Sequence, residues 1–193
     1  MGFASMDCMR SVASFTSAVL WTFSITTINS SPPCRATVSD SRTLAEDSSG
    51  DYLVGALTEA GHRLHERALL PDDRYRLRAI VSRWIADEDV DGILVTGGTG
   101  FTGRDSTPEA LLPLLDKTMP GFGEVFRALS FEDIGTSSLQ SRAFAGLANG
   151  TFLFALPGST SACRTAWERI LRAQLDATTR PCNLATLRPR LRE

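Results

Sequence analysis

Two uninterrupted apolar runs, residues 92–96 (GILVT) and 151–156 (TFLFAL), stand out in a chain whose apolar positions otherwise recur mostly at helical spacing. Runs of that length read as strands buried on both faces. Leu53, Val54 and Leu57 share one helical face over residues 51–60, and Gly61 sits where a C-cap belongs. After Pro71-Asp72-Asp73, the residues Leu77, Ile80, Val81, Trp84 and Ile85 form an apolar stripe, with Arg74, Arg76, Arg78 and Arg83 mostly off it. Pro157-Gly158-Ser159 precedes a third helix with Ala162, Cys163, Ala166, Trp167, Ile170 and Leu171 on one face. Residues 62–70 alternate weakly, as a half-buried strand would. Trp84 and Trp167 fall on core faces and read as packing residues. Strands alternating with helices of this length predict one α/β domain, a three-layer αβα sandwich with a mostly parallel sheet.

Residues 1–33 follow no such pattern. They are rich in Ser and Thr, carry only Asp7 and Arg10 as charges, and end at Ser30-Ser31-Pro32-Pro33. The apolar-leaning stretch 12–28 lacks the charged start and cleavage site of a secretory leader, and is too short and polar for a membrane span. Residues 1–35 are therefore read as an atypical extension, disordered or belonging to a misassigned start, and residues 36–193 as the domain. A chain without residues 1–33 is expected to stay folded.

Charge and cysteines narrow the partners. With 42% hydrophobic and 22% charged residues and a net charge of −2, the chain offers no broad surface for nucleic acid or an anionic membrane. Small molecules or further copies of the chain are the expected partners. Cys8, Cys34, Cys163 and Cys182 show no C-x-x-C spacing, and His62 and His65 lie far from them, which speaks against a zinc site. Isolated cysteines suit a reducing compartment, and a cytoplasmic location is expected.

The polar loop GGTGFTGRDSTPEA follows the first buried run directly. Gly97, Gly98 and Gly100 lack Cβ atoms, so backbone N–H groups there, with Thr99 among them, can approach an anion. Thr107-Pro108-Glu109 reads as N-cap, first-turn proline and acidic first turn of a new helix. Strand, glycine loop and helix start make an anion site without lysine, and Lys117 is the only lysine in the chain. Composition alone suits an ordinary tight turn equally well. Gly98, Gly100 and Gly103 imitate a dinucleotide fingerprint, but Arg104-Asp105 follows where a helix should start, so a dehydrogenase is a poor reading.

GGTGFTGRDSTPEAL closely resembles the central motif of the MoaB/Mog family, the molybdopterin-binding fold also found in gephyrin and Cnx. The segment from Pro120 to Leu171 (PGFGEVFRALSFEDIGTSSLQSRAFAGLANGTFLFALPGSTSACRTAWERIL) and RPCN at residues 180–183 resemble the rest of it. The likeness spans about residues 37–183. It implies molybdopterin as ligand or substrate, ATP as co-substrate, Mg2+, and a homotrimer or homohexamer. The implied reaction transfers AMP from Mg-ATP to the terminal phosphate of molybdopterin and releases pyrophosphate. The alternative is a non-catalytic molybdopterin-binding or scaffold member of the fold.

The same resemblance assigns roles. Asp105 would orient Mg2+ or the attacking phosphate, and Asp72 matches the Pro-Asp of the adenylylating members; plainer readings make Asp72 or Asp73 a helix cap and Asp105 a helix-dipole partner. Pro157, Gly158 and Ser159 would form the second loop of the site, although Ser159 also reads as an ordinary N-cap. Ser39 and Asp40, in TVSDS, match the end of the family's first strand and its nucleotide-side loop. Glu109 and Ser137 are further candidates. The family's first strand is longer than what remains here, because prolines precede residues 36–38 and only those three fit a central strand.

Overall fold

The computed structural model describes residues 47–191 together with the strand at 23–28. That strand, β1 (Phe23–Ile28), is followed by α1 (Ser48–Glu59), β2 (Arg67–Leu70), α2 (Arg74–Ile85) and β3 (Gly92–Thr96). The short helix α3 (Thr107–Leu111) and the two-residue strand β4 (Lys117–Thr118) lead to α4 (Pro120–Ile134). A hairpin of β5 (Phe144–Ala148) and β6 (Thr151–Leu156) precedes α5 (Thr160–Ala166), which passes through a π-helical turn, Trp167–Leu171, into α6 (Arg172–Gln174).

The six strands form one sheet in the order β2-β1-β3-β6-β5-β4. β3 and β6 are parallel, with Ile93 opposite Leu153 and Val95 opposite Ala155. β1 runs antiparallel to β2 and β3, β5 antiparallel to β6, and β4 antiparallel to β5. The sheet is thus mixed, and β2, β3, β6 and β4 share one direction.

Strand periodicity separates the core into two faces. Leu94, Phe152, Phe154 and Leu156 meet Leu53 and Leu57 of α1, Phe122 and Phe126 of α4, and Cys163, Ala166 and Trp167 on the first face. On the other, Ile93, Val95, Leu153 and Ala155 meet Leu77, Val81 and Trp84 of α2 and Ala110 and Leu111 of α3. Every residue of β3 and β6 is buried, which is why both segments are apolar but for the terminal Thr96 and Thr151 instead of alternating. Each large side chain so buried contributes about 1.5–3 kcal/mol. The three layers and the packing role of both tryptophans are therefore as the hydrophobic pattern predicts. Trp84 satisfies its indole N–H on the Glu66 carboxylate at 2.9 Å.

Helix ends follow local chemistry. Asp47 caps α1 by accepting from the Gly50 N–H at 3.0 Å, and Arg67 at the start of β2 bonds both Asp47 and Asp51. α1 stops with the His62 N–H on the Leu57 carbonyl, at the position Gly61 marks. The weakly alternating stretch 62–70 forms a strand only at Arg67–Leu70, where β1 supplies partners from Thr26 to Phe23. Among the described residues no helix is long and apolar enough to cross a membrane.

One expectation changes. Phe23–Ile28, inside the segment read as an extension, forms β1 between β2 and β3, with ladders on both sides. Its β-branched residues Ile25, Thr26, Thr27 and Ile28 suit a strand, a signal hidden in the sequence because the Ser/Thr-interrupted stretch 12–28 shows no clean alternation. Residues 36–38 lie outside the described residues. Removing residues 1–33 therefore deletes a strand paired on both sides and makes β3 an edge. We expect that truncation to cost about 4 kcal/mol or more, lowering Tm by about 10 °C, and to promote aggregation. A thermal melt matching that of the full chain would contradict this.

Candidate functional site

Because β3 and β6 are parallel neighbours, the loops that follow them leave the sheet at the same end. The Gly97 N–H donates to the Leu156 carbonyl at 2.9 Å, extending the ladder one residue past β3. Gly97 and Gly98 then turn with φ of 101° and 62°. A Cβ on Gly158 would lie 3.3 Å from the Gly97 Cα, so the two loops touch backbone to backbone. The Ser49 hydroxyl donates to the Gly158 carbonyl at 3.1 Å and ties α1 to the same place. With the end of α4 and the segment after it, these loops wall a cavity of about 250 Å³.

Protein donors occupy the loop's carbonyls. The Thr107 hydroxyl donates to Gly97 O at 2.8 Å, and the Thr107 N–H to Gly98 O at 3.0 Å. The Arg142 N–H donates to Thr99 O at 2.9 Å, and its Nε to Gly100 O at 2.8 Å. Among the described residues, the N–H groups of Gly98, Thr99 and Gly100 meet no acceptor. These three residues line the cavity. A concavity lined by backbone donors is an anion site in the physical sense.

Asp105 lies in the same wall. Its Oδ2 accepts from the Thr102 N–H at 2.8 Å and the Thr102 hydroxyl at 2.6 Å. The carboxylate sits so close to Gly100 that a Cβ there would be 2.8 Å from Oδ2. A side chain at position 100 would displace the Asp105 carboxylate from this place.

Asp72 reaches this place from the start of α2. Its Oδ1 accepts from the hydroxyl of Ser106, the neighbour of Asp105, at 3.0 Å. Burial pushes its carboxyl up to about 6; Asp105 and Asp73 add to the rise, while Ser106 and Arg104 oppose it. The capping role falls on the adjacent residue: Asp73 accepts from the N–H groups of Tyr75 and Arg76 at 2.8 and 2.9 Å. Asp72 is left half-buried, facing the Asp105 loop.

The other candidates divide. Ser159 caps α5 by accepting from the Ala162 N–H at 3.2 Å and also lines the cavity with Pro157 and Gly158, so its two readings are compatible. Ser137 lines the cavity as well. Glu109 does not; Arg142 binds its exposed carboxylate, and that hydrogen bond holds it below the usual carboxylate range. Ser39 and Asp40 lie outside the described residues. The cap of α3 is Ser106, and Thr107, expected there, is buried one position on. Sequence reading missed Ser106, Arg142 and the lining residues Ser138, Gln140 and Ser141. For the residues from 138 to 142 the one signal was the density of polar residues in GTSSLQSR, since no periodicity marks that stretch.

Among the described residues no three His, Cys, Asp or Glu side chains gather as a metal cage. Mg2+ rarely needs one, because it binds through one or two carboxylates, waters and the phosphates of a substrate. Asp72 and Asp105 supply the donor type that such a site uses.

Comparison with known proteins accords with this geometry. Residues 36–177 match the family described as "Probable molybdopterin binding domain". The chain is 60% identical over 147 residues to molybdenum cofactor biosynthesis protein B of Escherichia coli strain K12, covering 76% of this chain and 86% of that protein. Against the Bacillus subtilis strain 168 protein of the same name, identity is 42% over 140 residues, covering 72% and 82%. A crystal structure titled molybdenum cofactor biosynthesis protein B superimposes with a TM-score of 0.71 at 39% identity, covering 79% of this chain and 90% of that one. The tungsten cofactor synthesizing protein MoaB from Pyrococcus furiosus gives 0.64 at 33%, covering 77% and 87%. By a likeness that runs through both loops of the cavity, the chain belongs to the molybdenum cofactor biosynthesis protein B (MoaB/Mog) family.

Proposed function

We propose that the protein acts in molybdenum cofactor biosynthesis, binding molybdopterin in this cavity and transferring AMP from Mg-ATP to its terminal phosphate. The observation that carries the reading is the loop itself: its carbonyls are occupied by Thr107 and Arg142, while the N–H groups of Gly98, Thr99 and Gly100 are left for an anion beside the Asp105 carboxylate, with Asp72 behind it on the Ser106 hydroxyl. In the reaction a phosphate oxygen of molybdopterin bonds to the α-phosphorus of ATP, the bond from that phosphorus to the β-phosphate bridging oxygen breaks, and pyrophosphate departs. Such chemistry asks for positioning and charge dispersal more than for covalent help. The loop N–H groups hold phosphate oxygens, and the serine-lined wall of Ser137, Ser138 and Ser141 offers hydroxyls to the polar pterin. Asp72 and Asp105 would hold Mg2+, which when bound disperses the charge of the triphosphate.

The first test mixes the full chain with molybdopterin, Mg2+ and ATP labelled at the α-phosphate. Labelled, adenylylated pterin is expected, and Asp105→Asn should lower its rate by about 100-fold. A folded native protein that binds the pterin without forming product would instead support the non-catalytic reading.

A second test uses pH. Asp72 should be ionised to serve a cation, so kcat/KM, which follows the free enzyme, should rise through about pH 6 and then level off, a limb that Asp72→Asn removes. Stability runs the opposite way. The folded-state pKa of Asp72 is raised, so its ionised form penalises folding above about pH 6, and the penalty vanishes below its ordinary value of 3.8. Asp72→Asn should therefore be the more stable protein at pH 8, by about 1 kcal/mol once solvent screening of this half-exposed group is allowed for, with no gain below pH 4. Equal melting temperatures at pH 8 would contradict the burial of the charge.

Assembly as a homotrimer or homohexamer belongs to the same proposal. Val125, Phe131 and Ile134 on α4 and Leu139 beyond it are exposed apolar side chains that further copies would cover. Light scattering should give three or six times the chain mass; a monomer would exclude it.

A further inference from the structure

Arg142 stands just before β5, at the end of the irregular segment that follows α4, and its side chain reaches across to the glycine loop. Nε donates to the Gly100 carbonyl at 2.8 Å, and Nη2 to the Asp105 carbonyl at 2.8 Å. Nη1 pairs with the Glu109 carboxylate in α3. The main-chain N–H of Arg142 donates to Thr99 O at 2.9 Å. Its guanidinium carbon also lies over the Phe101 ring, 5.3 Å from the ring centre. One residue thus holds the loop at Thr99, Gly100, Phe101 and Asp105 and fastens it to α3.

Two physical consequences follow. A carbonyl oxygen turned toward an anion repels it, and Arg142 holds three such oxygens of the loop on its own donors. The Asp105 carboxylate, in turn, projects from backbone whose carbonyl is fixed. The guanidinium directs Nε, Nη1 and Nη2 to protein acceptors, and Glu109 balances its charge, so its influence on a bound phosphate runs through the loop.

We propose that Arg142 is a positioning residue that sets the anion loop with its N–H groups inward and the Asp105 carboxylate at the cavity wall. The proposal rests on the reading of this cavity as a phosphate site. Lysine cannot substitute: one ammonium on a flexible stem does not reproduce a planar fork that spans the carbonyls of Gly100 and Asp105 and the Glu109 carboxylate together.

The test compares the full native chain with Arg142→Lys in three measurements: thermal melting, the rate of tryptic cleavage after the exposed Arg104, and calorimetric titration with inorganic pyrophosphate. The lysine variant should melt within a few degrees of the native chain. It should nonetheless be cut after Arg104 about tenfold faster and bind pyrophosphate about tenfold more weakly, although its charge is unchanged. A folded lysine variant with native cleavage and native affinity overturns the proposal. If the native chain binds no pyrophosphate, the phosphate reading of the cavity fails; accelerated cleavage at Arg104 then still supports the anchoring role, and an unchanged rate overturns it. Should Arg142→Lys unfold, Glu109→Ala, an exposed change that releases one arm of the fork, is expected to accelerate the same cleavage about threefold, and a native rate in that variant counts against Arg142.

Discussion

The parallel pairing of β3 with β6 is the constraint on which the site depends. Two strands that run the same way side by side discharge their loops at one end of the sheet. Here the loops meet so closely that a Cβ at position 158 would lie 3.3 Å from the Gly97 Cα and press the two loops apart. Such contact needs both strands to end in register, and the Gly97 N–H on the Leu156 carbonyl carries that register into the loops. The buried apolar faces above and below the pair hold it in place.

On that foundation the site is organised by where backbone polarity is sent. In the glycine loop Thr107 and Arg142 take the carbonyls, while the N–H groups of Gly98, Thr99 and Gly100, residues that line the cavity, meet no acceptor among the described residues. The carboxylates obey a different economy. Asp105 is stabilised by Thr102, whereas Asp72 is half-buried beside other acids and held by the single hydroxyl of Ser106. Burial raises its pKa to about 6, an unfavourable setting for a charge that the fold tolerates beside the Asp105 loop.

The position of β1 gives the fold an unusual dependence. A strand outside the span matched by the family, residues 36–177, lies between β2 and β3 and runs against both. It links α2, through the adjacent β2, to the strand that carries the glycine loop. Asp72 leaves β2 just before α2, so the sheet edge and one of the two site carboxylates are mechanically connected.

The sequence by itself determined the elements with strong local signals. β3 and β6 are apolar but for the terminal Thr96 and Thr151 because both faces are covered, and the stripes of α1, α2 and α5 recur at helical spacing because one side of each is buried. The long motifs from residues 97 to 111 and 120 to 171 likewise carried the family, since ordered residues over that length leave few alternatives. Only the tertiary structure could divide Asp72 from Asp73, giving the cap to Asp73 and leaving Asp72 on the Ser106 hydroxyl, because adjacent aspartates are locally equivalent. Only it could show Glu109 engaged by Arg142, since that pair is separated by 33 residues and no periodicity links them. The place of Phe23–Ile28 in the sheet was equally invisible: a strand's partners are non-local, and a short run of β-forming residues states neither where it pairs nor in which direction.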